Sequence, residues 1–243
     1  MSAFPTHAPR TTNVFDAHDG LQAVLWDMDG TIVDTEPYWI AAEKELVHRH
    51  GGTWSDEEAQ ELIGQALPTS AAVLREVGVD LEIREIIDEM TASVVRGLRE
   101  HMVFRPGARE LLADLRAHGV PCALVTMSEG PMAQLVADSL PSGTFEFLIT
   151  GDQVPAGKPD PAPYHLAMDR MSGQVPSLQR HRVVAIEDSD PGVRSAAASG
   201  TPTIAVPHYS TLPATGNWTV WPTLAGVTAG DLDSFVAPEG AAG

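Results

Sequence analysis

Cysteine is almost missing from this chain, with one thiol, Cys122, in 243 residues. A lone thiol cannot close an internal disulfide, so a covalently stapled scaffold is excluded. Its setting, the apolar run Val120–Met127, marks it as a buried, inert side chain rather than a nucleophile. Positive charge is scarce too: 15 Lys and Arg stand against 33 Asp and Glu, a net charge of −18 with a pI near 4.7. So acidic a surface excludes nucleic acid and anionic membrane as main partners. An anionic ligand would have to find positive charge gathered locally. No apolar run is long enough to span a bilayer, and the N-terminal stretch lacks the apolar centre of a secretion signal. A cytoplasmic protein is expected, a monomer or weak homo-oligomer, with residues 1–20 as a flexible leader. The nine histidines show no metal-ligand spacing, and the chain has no internal repeat.

Hydrophobic residues make up 43% of the chain, enough at this length for one large domain or a core with a smaller insert. Its organising stretch is Leu21–Thr31, LQAVLWDMDGT. Ala23–Trp26 is the short apolar run of a buried strand, and it breaks abruptly into Asp27-Met28-Asp29-Gly30. Alternate side chains of an extended chain share a face, so Asp27 and Asp29 start on the same side. Gly30 then permits a sharp turn. Taken alone, the segment also reads as an ordinary strand-ending turn. Two carboxylates beside an apolar strand need a positive counterpart, and a hard divalent cation with oxygen ligands, such as Mg2+, meets that need.

From residue 34 to about 104 the pattern is helical throughout. Tyr38–His50 is amphipathic, with Pro37 in its first turn. Ser55-Asp56-Glu57-Glu58 is a capping box opening a second helix, and two more follow near 69–77 and 81–101. Trp39 and Trp54 are expected to pack between this insert and the remainder. Beyond Arg105-Pro106-Gly107, helices over 108–118, 128–139, 162–171 and 193–199 alternate with strands over 120–127, 146–150, 182–186 and 203–206. Residues 220–224 read as an edge strand. Alternation of this kind predicts an α/β fold built on a doubly wound, parallel, Rossmann-like sheet. The core would comprise residues 21–33 and 105–226, an all-helical inserted domain residues 34–104, and a flexible tail residues 227–243.

The strand ends are where the polar residues fall. The first ends in Asp27 and Asp29, the second in Thr126-Met127-Ser128. Beyond the third lies Gly157-Lys158-Pro159-Asp160-Pro161, and the fourth ends in Glu187-Asp188-Ser189 with Gly192 close behind. Parallel strands bring these ends to one edge, where such sheets bind ligands. The edge would then hold acids for a cation, a lysine, hydroxyls and free N–H groups at helix starts, a set that suits a phosphate beside Mg2+.

With these four segments in this order, the chain resembles the haloacid dehalogenase superfamily of phosphotransferases, over about Leu21–Val206. The helical insert and Asp34-Thr35-Glu36-Pro37 resemble its helical-cap subgroup, which includes beta-phosphoglucomutase-like and phosphoglycolate phosphatase-like enzymes. The resemblance implies a Mg2+-dependent phosphatase acting on a small phosphate monoester through an aspartyl-phosphate. Asp27 would be the nucleophile and Asp29 the general acid and then base, its backbone carbonyl also binding Mg2+. Thr126, the Met127 N–H and Lys158 would hold the phosphoryl group. Asp188 would bind the metal with Asp27. Glu187 would bind it directly or through water, or would position Lys158.

Asp29 separates phosphoryl transfer from the dehalogenases, which lack that carboxylate. The mutases of the subgroup grip a second phosphate with basic cap residues. The comparable stretch, Leu62–Ser70, contains no Lys or Arg, and Trp39 stands about where those enzymes place a histidine. Both departures favour hydrolysis, with the sugar-phosphate mutase as the alternative if Arg75, Arg84, Arg96 or Arg99 reaches a second anion. A catalytically silent binding protein of the same fold is disfavoured because Asp27, Asp29 and Lys158 are all retained.

Overall fold

The structure, a computed structural model, describes residues 20–236. The expected leader therefore lies outside the described residues except for Gly20, as do the last seven positions of the expected tail. Strand β1 (Ala23–Trp26) is followed by four helices in succession: α1 (Glu36–Arg49), α2 (Asp56–Leu62), α3 (Leu67–Glu76) and α4 (Ile83–Glu100). Helices and strands then alternate through α5 (Ala108–Ala117), β2 (Cys122–Val125), α6 (Gly130–Asp138), β3 (Leu148–Ile149), α7 (Ala162–Ser172), β4 (Val183–Glu187), α8 (Asp190–Ala198) and β5 (Thr203–Ala205). The chain closes with β6 (Thr219–Val220) and α9 (Ala229–Val236).

All six strands run parallel in the order β3-β2-β1-β4-β5-β6. Strand β1 is central because every residue in it is buried on both sides, as the unbroken run Ala-Val-Leu-Trp demands. Its side chains divide by the two-residue period of a strand. Val24 and Trp26 enter one core with Leu111, Leu115 and Leu232, while Ala23 and Leu25 enter another with Tyr164, Ala167 and Met171. Helices α5 and α9 therefore cover one face and α7 the other. The sheet turns back between β1 and β4: chain to one side of β1 builds β2 and β3, and chain to the other builds β4, β5 and β6. A crevice opens beyond the carboxyl ends of strands at such a reversal, and Asp27 and Asp188 are the next residues after β1 and β4.

The helical insert closes its own apolar interior onto the first of these cores. Helix α4 buries Ile86, Met90, Val94 and Leu98, one every fourth residue, in the same cluster as Leu46, Leu74 and the sheet residues. Helix α2 has the reciprocal cap expected from its sequence, Ser55 and Glu58 each bonding the other's backbone N–H. No helix among the described residues is long and apolar enough to cross a membrane.

Several boundaries differ from the sequence expectation. Strand β3 has only two residues, Leu148–Ile149, because it pairs on one side alone. The edge strand lies at Thr219–Val220 and overlaps the stretch expected for it only at Val220. Within the segment expected to be a flexible tail, residues 229–236 form α9, whose Ala229 and Leu232 are fully buried. Ala229 N–H is held by Asp114 of α5 at 2.8 Å.

The return from the insert depends on Gly107. Its φ of 85° is left-handed, and a Cβ there would lie 2.0 Å from the Leu224 carbonyl oxygen. Gly107→Ala is expected to cost about 2 kcal/mol of stability, read as a lower urea midpoint with an unchanged slope.

Candidate functional site

The site begins where β1 stops. Asp27 is 5% exposed, and its N–H is held by the Ile186 carbonyl of the neighbouring strand at 3.0 Å. The backbone then folds on itself, with Ile32 N–H bonded to the Met28 carbonyl at 2.9 Å and Gly30 N–H to that of Val33 at 2.8 Å. Gly30 has a φ of 79°. A Cβ at this position would stand 2.1 Å from Asp188 Oδ2, so glycine is required both by the turn and by the close approach of the β4 carboxylate.

Lys158 reaches this point from the loop before α7. Its Nζ donates to Asp27 Oδ1 at 2.6 Å and to the Val125 carbonyl at 2.8 Å, and it lies 2.6 Å from Glu187 Oε1. An ammonium has three protons, and these three acceptors use them all. Glu187, fully buried, also accepts a short hydrogen bond from the Tyr164 hydroxyl. The Tyr164 ring lies beside the ammonium, 5.5 Å from Nζ to its centroid. Charge nevertheless does not balance. Asp27, Glu187 and Asp188 offer oxygens all within 4.8 Å of one another, against one lysine. Asp27 Oδ2 and Glu187 Oε2 are buried with no hydrogen-bond partner. Buried acceptors left open beside excess negative charge are what a divalent cation would satisfy, and this acidic cluster could hold a metal ion.

The protonation preferences carry the same strain. Burial raises Asp27, opposed by Lys158 and reinforced by Asp29. Burial, and next the Asp27 charge, push Glu187 up to about 7 against the pull of Lys158. Asp188 is raised well above the usual carboxylate range by burial, then by Asp27 and Glu187. Burial by itself would lower Lys158, but the charges of Asp27 and Glu187 outweigh it and hold the ammonium protonated.

Asp29 sits in a different environment. Three hydroxyls donate to its carboxylate: Thr35 to Oδ1 at 2.7 Å, and Ser128 and Thr126 to Oδ2 at 2.8 and 3.0 Å. Thr126 is fully buried and also accepts from Ser128 N–H at 3.0 Å. Met127 does more with its side chain than the sequence suggested, since its Sδ accepts from Lys158 N–H at 3.3 Å and so braces the lysine loop. Ser189 caps α8 by accepting from Gly192 N–H at 3.3 Å.

Several of these groups line a cleft of about 100 Å3 roofed by the helical insert, and its walls also include Glu36, Trp39, Glu43, Gln65 and Met90. Asp27, Asp29, Met127, Lys158 and Asp188 all line it. Thr126 and Glu187 stand behind that surface and are not among the lining residues. Trp39 both lines the cleft and joins the apolar core, whereas Trp54 binds Glu43 through Nε1–H at 3.1 Å. The stretch Leu62–Ser70 does face the cleft, through Leu62, Ile63, Gly64, Gln65, Leu67 and Ser70. None of Arg75, Arg84, Arg96 or Arg99 lines it. Arg75 pairs with Glu82, and Arg84 with Asp88 and Glu129.

Sequence reasoning missed Tyr164, Glu36 and Glu43 as site residues. For the two glutamates a signal exists: with Trp39 they fall three and seven residues apart on α1, which places them on one helical face.

The model of the haloacid dehalogenase-like hydrolase family matches residues 24–206. The chain belongs to that family. Among its relatives is a phosphorylated carbohydrates phosphatase of Thermotoga maritima, 30% identical over 185 residues, which are 74% of this chain and 82% of the relative. A phosphoglycolate phosphatase of Pseudomonas fluorescens is 32% identical over 192 residues, 76% of this chain and 69% of its own. The crystal structure of a mutant CbbY from Rhodobacter sphaeroides, in complex with xylulose-(1,5)bisphosphate, superposes with a TM-score of 0.78 at 27% identity. That match covers 88% of this chain and 99% of the other. The strand-end clusters of this hydrolase thus fall inside the matched span.

The raised carboxyl groups set a pH dependence of stability. Each binds its proton more tightly in the folded protein than in the unfolded chain. Their contribution is therefore full below the ordinary value of 4.5 and is lost as pH rises through the folded value, about 7 for Glu187. Glu43, about 7, and Glu36, about 8, act with the same sign. In EDTA, the urea midpoint is expected to fall from about pH 5 to about pH 8, and an added divalent cation to restore it most at the alkaline end. A flat midpoint across that window would contradict the crowding of carboxylates described above.

Proposed function

We propose that this hydrolase is a Mg2+-dependent phosphatase that cleaves a small phosphate monoester through an aspartyl-phosphate on Asp27. The observation that carries the reading is the pairing of two carboxylates in unlike surroundings on one strand end. Asp27 is buried against Lys158, while Asp29 is half-exposed among hydroxyls. Such a division separates a nucleophile from an acid–base group. The activities named for the Thermotoga and Pseudomonas relatives support the same class of substrate.

In this reading the Asp27 carboxylate attacks phosphorus, and the bond from phosphorus to the ester oxygen breaks. Asp29 passes its proton to the departing alkoxide, giving the free alcohol. Water then attacks the phosphorus of the aspartyl-phosphate. Asp29 takes the water's proton, the acyl-phosphate bond opens, and Asp27 returns as a carboxylate beside inorganic phosphate. Lys158 offsets the repulsion between Asp27 and the incoming dianion, with Thr126 and the Met127 N–H as further phosphoryl donors. Asp27, Asp188 and the Asp29 carbonyl would hold Mg2+, and Glu187 would join them through its open Oε2 while its other oxygen positions Lys158. The cation would supply charge neutralisation at the phosphoryl oxygens. A small-molecule phosphate ester is the partner, in a cytoplasmic enzyme acting as a monomer or weak homo-oligomer. The mutase alternative loses ground because Leu62–Ser70 faces the cleft without a Lys or Arg.

Phosphate release from a panel of monoesters tests the reading. Release is expected with Mg2+ and not with EDTA. Asp27→Asn should remove it by at least about a thousandfold, and Asp29→Asn should lower kcat by about a hundredfold or more. No release from any monoester by the folded protein, together with interconversion of hexose phosphates primed by a bisphosphate, would make it a mutase.

A further inference from the structure

Beyond the reacting carboxylates, the cleft has the wrong charge to receive a second anion. Helix α1 presents Glu36, Trp39 and Glu43 to it from one face. Glu43 is only 4% exposed, and its Oε2 accepts from Trp54 Nε1 at 3.1 Å. Among the described residues lining the cleft, Lys158 is the sole Lys or Arg. Its three protons are already directed to Asp27, Val125 and Glu187. Asp27 lines the same cleft, and its Oδ2 is buried and has no hydrogen bond. The cleft therefore contains both an open acceptor on Asp27 and a pair of glutamates from α1. The Trp54 N–H uses only Oε2 of Glu43, so the second oxygen of this buried carboxyl group remains for a group in the cleft.

We propose that Glu36 and Glu43 are specificity residues, which receive the hydroxyl groups of a neutral, polyhydroxylated leaving alcohol and refuse substrates that carry a second anionic group. The inference rests on the phosphatase reading. An anion in the cleft finds no spare cation to repay the water it loses, and it is repelled by whichever of the two glutamates is ionised. Hydroxyl groups suit the pair. A protonated carboxyl offers one donor and one acceptor, and a carboxylate offers acceptors, so an alcohol finds a partner in either form. Burial, followed by the charges of Asp29, Glu43 and Asp34, pushes Glu36 up to about 8, which supplies the donor form near neutrality. The Trp39 ring adds an apolar wall against which the C–H groups of a polyol can lie.

The test compares kcat/KM for four monoesters and a bisphosphate with the Mg2+-loaded full chain. The monoesters are p-nitrophenyl phosphate, a pentitol monophosphate, 2-phosphoglycolate and phosphoethanolamine; the fifth compound is a sugar bisphosphate. The pentitol phosphate is expected to exceed phosphoglycolate and the bisphosphate by at least about thirtyfold. In Glu36→Gln and Glu43→Gln that ratio should shrink by about tenfold, because the acid is lost and its volume kept. Hydrolysis of p-nitrophenyl phosphate without preference among the others overturns the inference and leaves the phosphatase reading in place. A preference for phosphoethanolamine assigns the glutamates to a cation and also overturns it. Failure to release phosphate from every compound overturns the phosphatase reading and the inference with it. The wild-type comparison stands by itself if either variant fails to fold.

Discussion

One buried ammonium group conditions everything else at this site. Lys158 ties together the end of β1 through Asp27, the end of β2 through the Val125 carbonyl and the end of β4 through Glu187. A buried ion pair is tolerable only when every proton and lone pair is answered. The lysine meets that condition, but the carboxylates do not. Two of their oxygens stay unanswered inside the protein. The lysine thus makes the acidic cluster foldable without neutralising it, and the remaining negative charge is what a divalent cation could satisfy.

Topology explains why these groups meet at all. Chain order scatters Asp27, Thr126, Lys158 and Asp188 over most of the matched span. The parallel sheet gathers them because every strand points the same way, and the reversal beside β1 leaves a crevice there. The two-residue alternation along β1 sends Trp26 to one core and Leu25 to the other. Asp27, next in line, falls on the side of Leu25, where Tyr164 and Lys158 are found. Strand register, helix placement and site chemistry are consequences of the same short run of sequence.

Much of this was legible beforehand. The run Ala23–Trp26 declared a buried strand, the capping box at Ser55 declared α2, and the polar clusters declared the strand ends. What stayed hidden has physical causes. Strand β3 is too short to show a period, and its hydrogen bonds come from one neighbour only. Helix α9 is short and is held partly by Asp114, far away in sequence. Glu43 reads as one more charge on a charged helix until the tertiary packing buries it. Tyr164 belongs to a helix that covers the sheet, and nothing local reveals that its hydroxyl ends at Glu187. Thr126 and Glu187 were expected as site residues, but the sequence could not tell that they are absent from the cleft lining.

Thr35 occupies the N-terminal cap position of α1, yet its hydroxyl does not cap the helix. It donates instead to Asp29. The carboxylate proposed to move protons is thereby tethered to the start of the helix that roofs the cleft. A shift of that helix by about an ångström or two would change the set of donors around the carboxylate. Roof position and the hydrogen bonding of Asp29 are in this way mechanically linked, and the link runs through a single side-chain oxygen.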